Sequence, residues 1–179
     1  MYGIINVAIQ DFAVENYGLE KWEIIKDQIG LDVDFSLSDN PYNDSIPVKV
    51  AEAASKEMGL VLDEVLNDIG ESIIPTTGKK FGSFIASRGN TLRDYLINLP
   101  NFHNRIALIY PELTPPQFRV SHLGENTLHL HYLTKTKGIR WFIKGYLTGL
   151  VSMFNENATV EFLQSKDDGN LQEIFKISW

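Results

Sequence analysis

The sequence predicts an α+β fold, with an N-terminal helical subdomain followed by a C-terminal antiparallel sheet that carries one inserted helix. Two observations predict it. Up to Leu99 the apolar residues recur at three- and four-residue spacing, as they do in helices with one buried stripe. From Phe118 onward they alternate in twos, the period of a strand, with a helical stretch between two strand pairs.

Taken in order, Ile5, Ile9 and Phe12 share a helical face that Gly18 can close, and Leu19 to Gln28 continues in the same style through Trp22 and Ile25 to Gly30. The polar stretch Asp34 to Asn43, with Pro41 inside it, reads as a loop. Asp44 or Ser45 can cap the next helix, which has Pro47 in its first turn and runs towards Gly59. Leu60 to Ile69 and Phe81 to Ser87 read as two further helices, and Asn90 as the N-cap of a segment from Thr91 to Leu99. Phe118, Val120 and His122 then alternate with Arg119 and Ser121, and Gly124-Glu125-Asn126 reads as a hairpin turn. On the return strand Leu128, Leu130, Tyr132 and Thr134 fall on one face, with His129, His131 and Leu133 on the other. Ile139 to Asn155 is helical, and Ala158 to Gln164 and Leu171 to Trp179 are strands joined by the turn-like Lys166-Asp167-Asp168-Gly169-Asn170.

Composition narrows the function. The 179 residues are 44% hydrophobic and 22% charged, an ordinary globular balance, with no repeat or low-complexity linker. A net charge of −7 and no basic cluster argue against nucleic acid as the main partner. The absence of cysteine excludes disulfides, thiolate metal sites and cysteine nucleophiles. The N-terminus lacks the pattern of a signal peptide, and no apolar run approaches the roughly 18 residues needed to span a bilayer. A cytoplasmic protein that engages no membrane is the expectation.

An enzyme is a poor fit. Asp63, Glu64, Asp68 and Glu71 crowd one stretch, but the last three share a helical face and read as solvated surface. Gly78-Lys79-Lys80 lacks the preceding glycines of a phosphate-binding loop. Among the four histidines, His129 and His131 would lie on one strand face with His122 across the hairpin, yet no third ligand stands at metal-like spacing beside the H-x-H pair. His103 differs in its neighbourhood. Tyr95, Leu96, Leu99 and Phe102 precede it and Ile106, Leu108 and Ile109 follow, giving one neutral imidazole in apolar surroundings, which a five-coordinate heme iron requires.

A series of short motifs runs along the chain: Met1-Tyr2-Gly3 before an amphipathic helix, Gly89-Asn90, Arg93-Asp94-Tyr95-Leu96, Asn98-Leu99, His103, Pro111, Pro115-Pro116, Phe118, and the Tyr132 strand with Gly138 behind it. In order and spacing they resemble the heme–nitric oxide/oxygen binding (H-NOX) family, whose members include the heme domain of soluble guanylate cyclase. The likeness covers residues 1–179 as a single heme-binding domain, with heme between the helical and sheet parts. It implies a b-type heme (heme b) with His103 as proximal iron ligand. It places a propionate-binding motif on Tyr132, Thr134 and Thr136, and the proline that presses on the porphyrin on Pro116. Phe102 lies beside the ligand.

On the distal side the resemblance places Ile5, Ile9, either Ile73 or Ile74, and Trp141 with Phe142 beside it. It implies a sensor of nitric oxide, binding CO as well, that signals in trans to a histidine kinase or a cyclic-di-nucleotide enzyme. Two departures stand out. Thr134 replaces the motif's serine and keeps a hydroxyl, whereas Thr136 replaces an arginine and so loses a bidentate, permanently charged clamp for a carboxylate. No tyrosine occupies the distal position that favours stable oxygen binding. The alternative reading is a module of the same fold that does not hold heme stably.

Overall fold

The computed structural model describes residues 3–31, 45–86, 89–109, 117–170 and 172–179, without the side chains of residues 4, 79–86 and 166. The loop expected at Asp34 to Asn43, the possible cap Asp44, and Pro111, Pro115 and Pro116 lie outside the described residues. Six helices and four strands follow one another as α1 (Gly3–Tyr17), α2 (Leu19–Ile29), α3 (Ile46–Met58), α4 (Leu62–Ala86), α5 (Leu92–Ile109), β1 (Gln117–Ser121), β2 (Thr127–Leu133), α6 (Arg140–Met153), β3 (Thr159–Gln164) and β4 (Glu173–Ser178). The α+β class stands, with the inserted helix between the two hairpins.

Local chemistry explains most of the boundaries. Helix α2 ends at Gly30, whose φ of 67° is costly for any residue with a Cβ. The amide of Leu31 then returns to the carbonyl of Lys26 at 3.0 Å. Pro47 sits in the first turn of α3, where its missing N–H has no helical partner to lose. Thr91, not Asn90, caps α5: its Oγ1 accepts the Asp94 amide at 3.1 Å.

Two prolines are the main correction. The sequence reading ends a helix at Leu99 and treats Leu60–Ile69 and Phe81–Ser87 as separate, yet α5 runs through Pro100 to Ile109 and α4 runs unbroken through Pro75. A proline inside a helix removes one hydrogen bond and costs about 3 kcal/mol. In α5 the buried stripe Leu92, Tyr95, Leu96, Leu99, His103 continues across the proline. In α4 the buried stripe Leu66, Ile69, Ile73, Ile74 leads up to Pro75, and Thr77 is buried beyond it. Each large aliphatic side chain that a helix buries contributes about 1.5–3 kcal/mol, so the buried stripes of α4 and α5 as wholes offset the lost bond.

The four strands pair antiparallel in the order β1-β2-β4-β3. Register puts Phe118 opposite Tyr132, Leu130 opposite Phe175 and Leu128 opposite Ile177, all buried on one face. Helix α5 covers this face at the β1 edge and α6 at the β3 edge. Helix α6 is itself seated on α4 through glycines. A Cβ at Gly145 would run into the Asn67 carbonyl, one at Gly70 into the Phe142 carbonyl, and one at Gly149 would lie 2.7 Å from the Glu71 oxygen. Main chain therefore touches main chain here, and the helical and sheet halves meet along a tight seam.

Candidate functional site

His103 lies on the inward stripe of α5 and is buried, with 8% of its surface exposed. Its ring meets Phe102 edge-on, with centroids 5.3 Å apart, and Phe118 of β1 at 5.1 Å. Phe118 in turn meets Tyr132 of β2 at 5.1 Å. A row of rings thus runs from the helix across two strands, joining Phe102 and His103, Phe118, and Tyr132 from three separate parts of the sequence. The alternation of β2 turns Tyr132 inward and buries it to 1% exposure.

Beyond Tyr132 the strand ends in a side-chain turn. Thr134 Oγ1 accepts the Thr136 amide at 3.0 Å and bends the chain towards α6. Thr134 and Thr136 are half-buried, while Lys135 and Lys137 are exposed on the other side. The nearest arginine in the following segment, Arg140, is engaged with Asp167 at 3.6 Å and Asp168 at 3.5 Å. It does not stand in for the arginine that Thr136 replaces.

Ile9, Ile73 and Ile74 are buried and Ile5 is half-buried, on the mutually packed helices α1 and α4. Ile74 packs over Gly149 of α6, and the carbonyl of Ile73 accepts the Thr77 hydroxyl at 2.5 Å. Trp141 is placed elsewhere. Its ring lies 5.0 Å from Phe162 of β3, at the opposite sheet edge from Phe118, with the Lys144 ammonium 4.9 Å from the ring centre. The next residue, Phe142, is the more deeply buried of the two. One step along a helix turns a side chain by about 100°, so a one-residue alignment choice decides which of them faces the interior.

Asn6 escaped the sequence reading. It sits on α1 between Ile5 and Ile9, fully buried, and neither its carboxamide nitrogen nor its oxygen has a hydrogen-bond partner. Burying such a group unsatisfied costs about 1–3 kcal/mol. The signal was present as one polar residue in an otherwise apolar stripe, in phase with Ala13 seven residues on.

This donor set fits a porphyrin iron. It offers one buried imidazole with aromatic rings on it, aliphatic helix walls, and hydroxyl side chains at a strand end where carboxylates can be met. The outer sheet face is a poorer candidate. Among the described residues no group of three histidine or acidic side chains is arranged to hold a metal ion.

Comparison with known proteins agrees with the geometry. The family model described as Haem-NO-binding matches residues 2–162, and the chain belongs to this H-NOX family of heme-binding gas-sensor domains. Soluble guanylate cyclase gcy-31 of Caenorhabditis elegans is 27% identical over 176 residues, covering 97% of this chain and 25% of the cyclase. Soluble guanylate cyclase 89Da of Drosophila melanogaster is 23% identical over 155 residues, covering 86% of this chain and 23% of that protein. The chain thus spans about a quarter of the length of these cyclases. In fold it matches an H-NOX protein from S. oneidensis in its Fe(II)NO state, with a TM-score of 0.84 at 15% identity over 99% of this chain and 98% of that one. The unliganded Fe(II) H-NOX protein from K. algicida gives 0.80 at 22% identity, over 99% and 96% of the two chains. Among the described residues no helix is long and apolar enough to cross a membrane.

Proposed function

We propose that residues 1–179 act as one heme-binding domain that holds a b-type heme through His103 and senses nitric oxide in the cytoplasm. The observation that carries this is the burial of His103 against Phe102 and Phe118, at the position the family motif assigns to the proximal ligand. A heme held there would supply the iron that takes up NO or CO. The imidazole of His103 provides the neutral nitrogen, and the flanking rings exclude water and fix its plane. Tyr132, Thr134 and Thr136 would offer hydroxyls to its propionates, Ile5, Ile9, Ile73 and Ile74 would form apolar walls, and the family resemblance assigns Pro116 the place that presses on the porphyrin. O₂ taken up there would carry partial negative charge and need a hydrogen-bond donor, which the side chains of Ile5, Ile9, Ile73 and Ile74 do not offer, whereas NO and CO need one far less.

His103 belongs to α5 and rests on Phe118 of β1, so a change in the pull on its imidazole is felt where helix meets sheet. A separate signalling protein, a histidine kinase or a cyclic-di-nucleotide enzyme, reads that change.

A second reading has its own support. With Thr136 in place of arginine and Arg140 held by two aspartates, the propionate end lacks a charged clamp, which favours an H-NOX module without stable heme. Absorption spectra of protein produced with heme available separate the two. The first reading expects a five-coordinate ferrous spectrum that shifts with NO and CO and gives no lasting oxygen complex in air. A colourless protein favours the second reading, and a long-lived oxygen complex contradicts the preference for NO.

A further inference from the structure

We propose that the groove between α1 and α4 is a docking site for a basic amphipathic helix of a partner protein, which seats a lysine or arginine side chain between Tyr17, Glu64 and Asp68. The proposal rests on the reading that the chain reports to another polypeptide, and it names the surface and the partner's chemistry.

The groove is a cavity of about 280 Å³ lined by Phe12, Asn16 and Tyr17 of α1, by Leu60 just before α4, and by Glu64, Val65 and Asp68 in its first two turns. Its chemistry is mixed in one particular way. Phe12 and Tyr17 meet edge to face, with ring centroids 5.7 Å apart, and form an aromatic wall. Leu60 is 44% exposed, Val61 58%, and Leu19 at the nearby start of α2 63%, so large apolar side chains stand in water around it. Glu64 and Asp68, one helical turn apart, supply the polar rim, and neither has an ion-pair partner among the described residues.

The charge is lopsided well beyond the groove. Helix α1 and the Leu62 to Thr77 part of α4 carry Asp11, Glu15, Asp63, Glu64, Asp68 and Glu71 and no basic side chain, against a net charge of −7 for the whole chain. The Tyr17 hydroxyl reports the local field: burial and then the Asp68 carboxylate hold its pKa above the ordinary 10.0.

A cationic side chain entering here exchanges water for two carboxylates and two aromatic rings, gaining charge-assisted hydrogen bonds and cation–π contact. Leucine-type side chains on the same helical face cover Leu19, Leu60 and Val61, the familiar mode of an amphipathic helix in a groove. An acidic or wholly apolar segment satisfies only part of this lining.

The test uses ¹⁵N-labelled protein in its heme-bound, ferrous CO form, titrated with a synthetic helical leucine/lysine peptide and with a leucine/glutamate peptide of the same length. The lysine peptide is expected to shift amide signals around Phe12, Tyr17, Leu60 and Val65. The double variant Glu64→Gln/Asp68→Asn is expected to weaken its binding about tenfold or more, the size of one or two charge-assisted contacts. A second variant, Val61→Lys, should weaken it through repulsion at the mouth. Shifts scattered over the acidic surface, equal binding by the double variant, or equal binding of the glutamate peptide overturn the proposal. The heme spectrum of the same sample is a separate readout. Heme-bearing protein with shifts elsewhere overturns the groove alone, and colourless protein that still binds the lysine peptide at the groove overturns the heme reading alone.

Discussion

The four-stranded sheet meets histidine on both of its faces, and the two faces treat it in opposite ways. On the inner face His103 stands alone, buried, its ring against Phe102 and Phe118. Towards the outer face three histidines gather in partial contact with water. His122 and His129 stack with centroids 4.5 Å apart, and His131 shares a 2.6 Å hydrogen bond with the Ser121 hydroxyl. Counting histidines would favour the trio as a metal site. Among the described residues, however, the three are not arranged to hold a metal ion, whereas His103 has the apolar surroundings that a tetrapyrrole needs. Environment, rather than number, makes a ligand.

The largest expected effect probes what keeps the inner face closed. Gly145→Ala forces a methyl group into the Asn67 carbonyl of α4, where only main chain fits. Overpacking of this kind costs about 1–3 kcal/mol, measurable by urea unfolding. Unchanged stability would mean that α6 is less firmly seated than the glycine contact implies.

Thr136→Arg sharpens the comparison at the end of the inner strand. A charge-assisted bond to a propionate in place of a neutral one gains on the order of 1–2 kcal/mol. That corresponds to about tenfold slower heme loss to an apoglobin scavenger, less where the propionates are solvated. Equal or faster loss from a folded variant would detach the propionates from this strand position.

The smallest effect belongs to the outer face. Burial, with the nearby His122, His131 and Lys176, holds the His129 pKa below its ordinary 6.5. Protonation is therefore harder in the folded chain than in the unfolded one. The contribution to stability is full above 6.5 and declines as pH falls below it. Thermal unfolding of His129→Gln should show a shallower loss across that range than the parent. A parallel loss in both would place the acid sensitivity elsewhere, and any effect of this variant on the heme spectrum would break the separation of the faces.

Much of this was legible in the sequence, and the failures have physical causes. The alternation Leu128, Leu130, Tyr132 fixed both the strand and its inner face, because a period of two permits only one assignment. The burial of His103 was legible from its apolar flanks. The continuity of α4 and α5 was not legible, because Pro75 and Pro100 carry a local cost whereas the packing of the buried stripes Leu66 to Ile74 and Leu92 to His103 is a tertiary matter. Trp141 could not be placed from sequence, since one position along α6 separates the β3 edge from the interior. Asn6 was passed over because a single polar residue in an apolar stripe is a weak signal, and its lack of a hydrogen-bond partner among the described residues shows only once the chain is folded. The groove of α1 and α4 was hidden for a related reason: Glu64 and Asp68 read as solvent-facing charge until Phe12 and Tyr17 are packed beside them.

The central claim is that His103, and none of the three histidines across the sheet, holds the iron. The most direct measurement is the ferrous absorption and resonance Raman spectrum of heme-reconstituted His103→Gly, with and without free imidazole. The account predicts that the variant loses native ligation and that imidazole, filling the space of the missing side chain, restores the parent spectrum and its response to NO. Parent-like ferrous and NO-bound spectra in the variant without imidazole would contradict it.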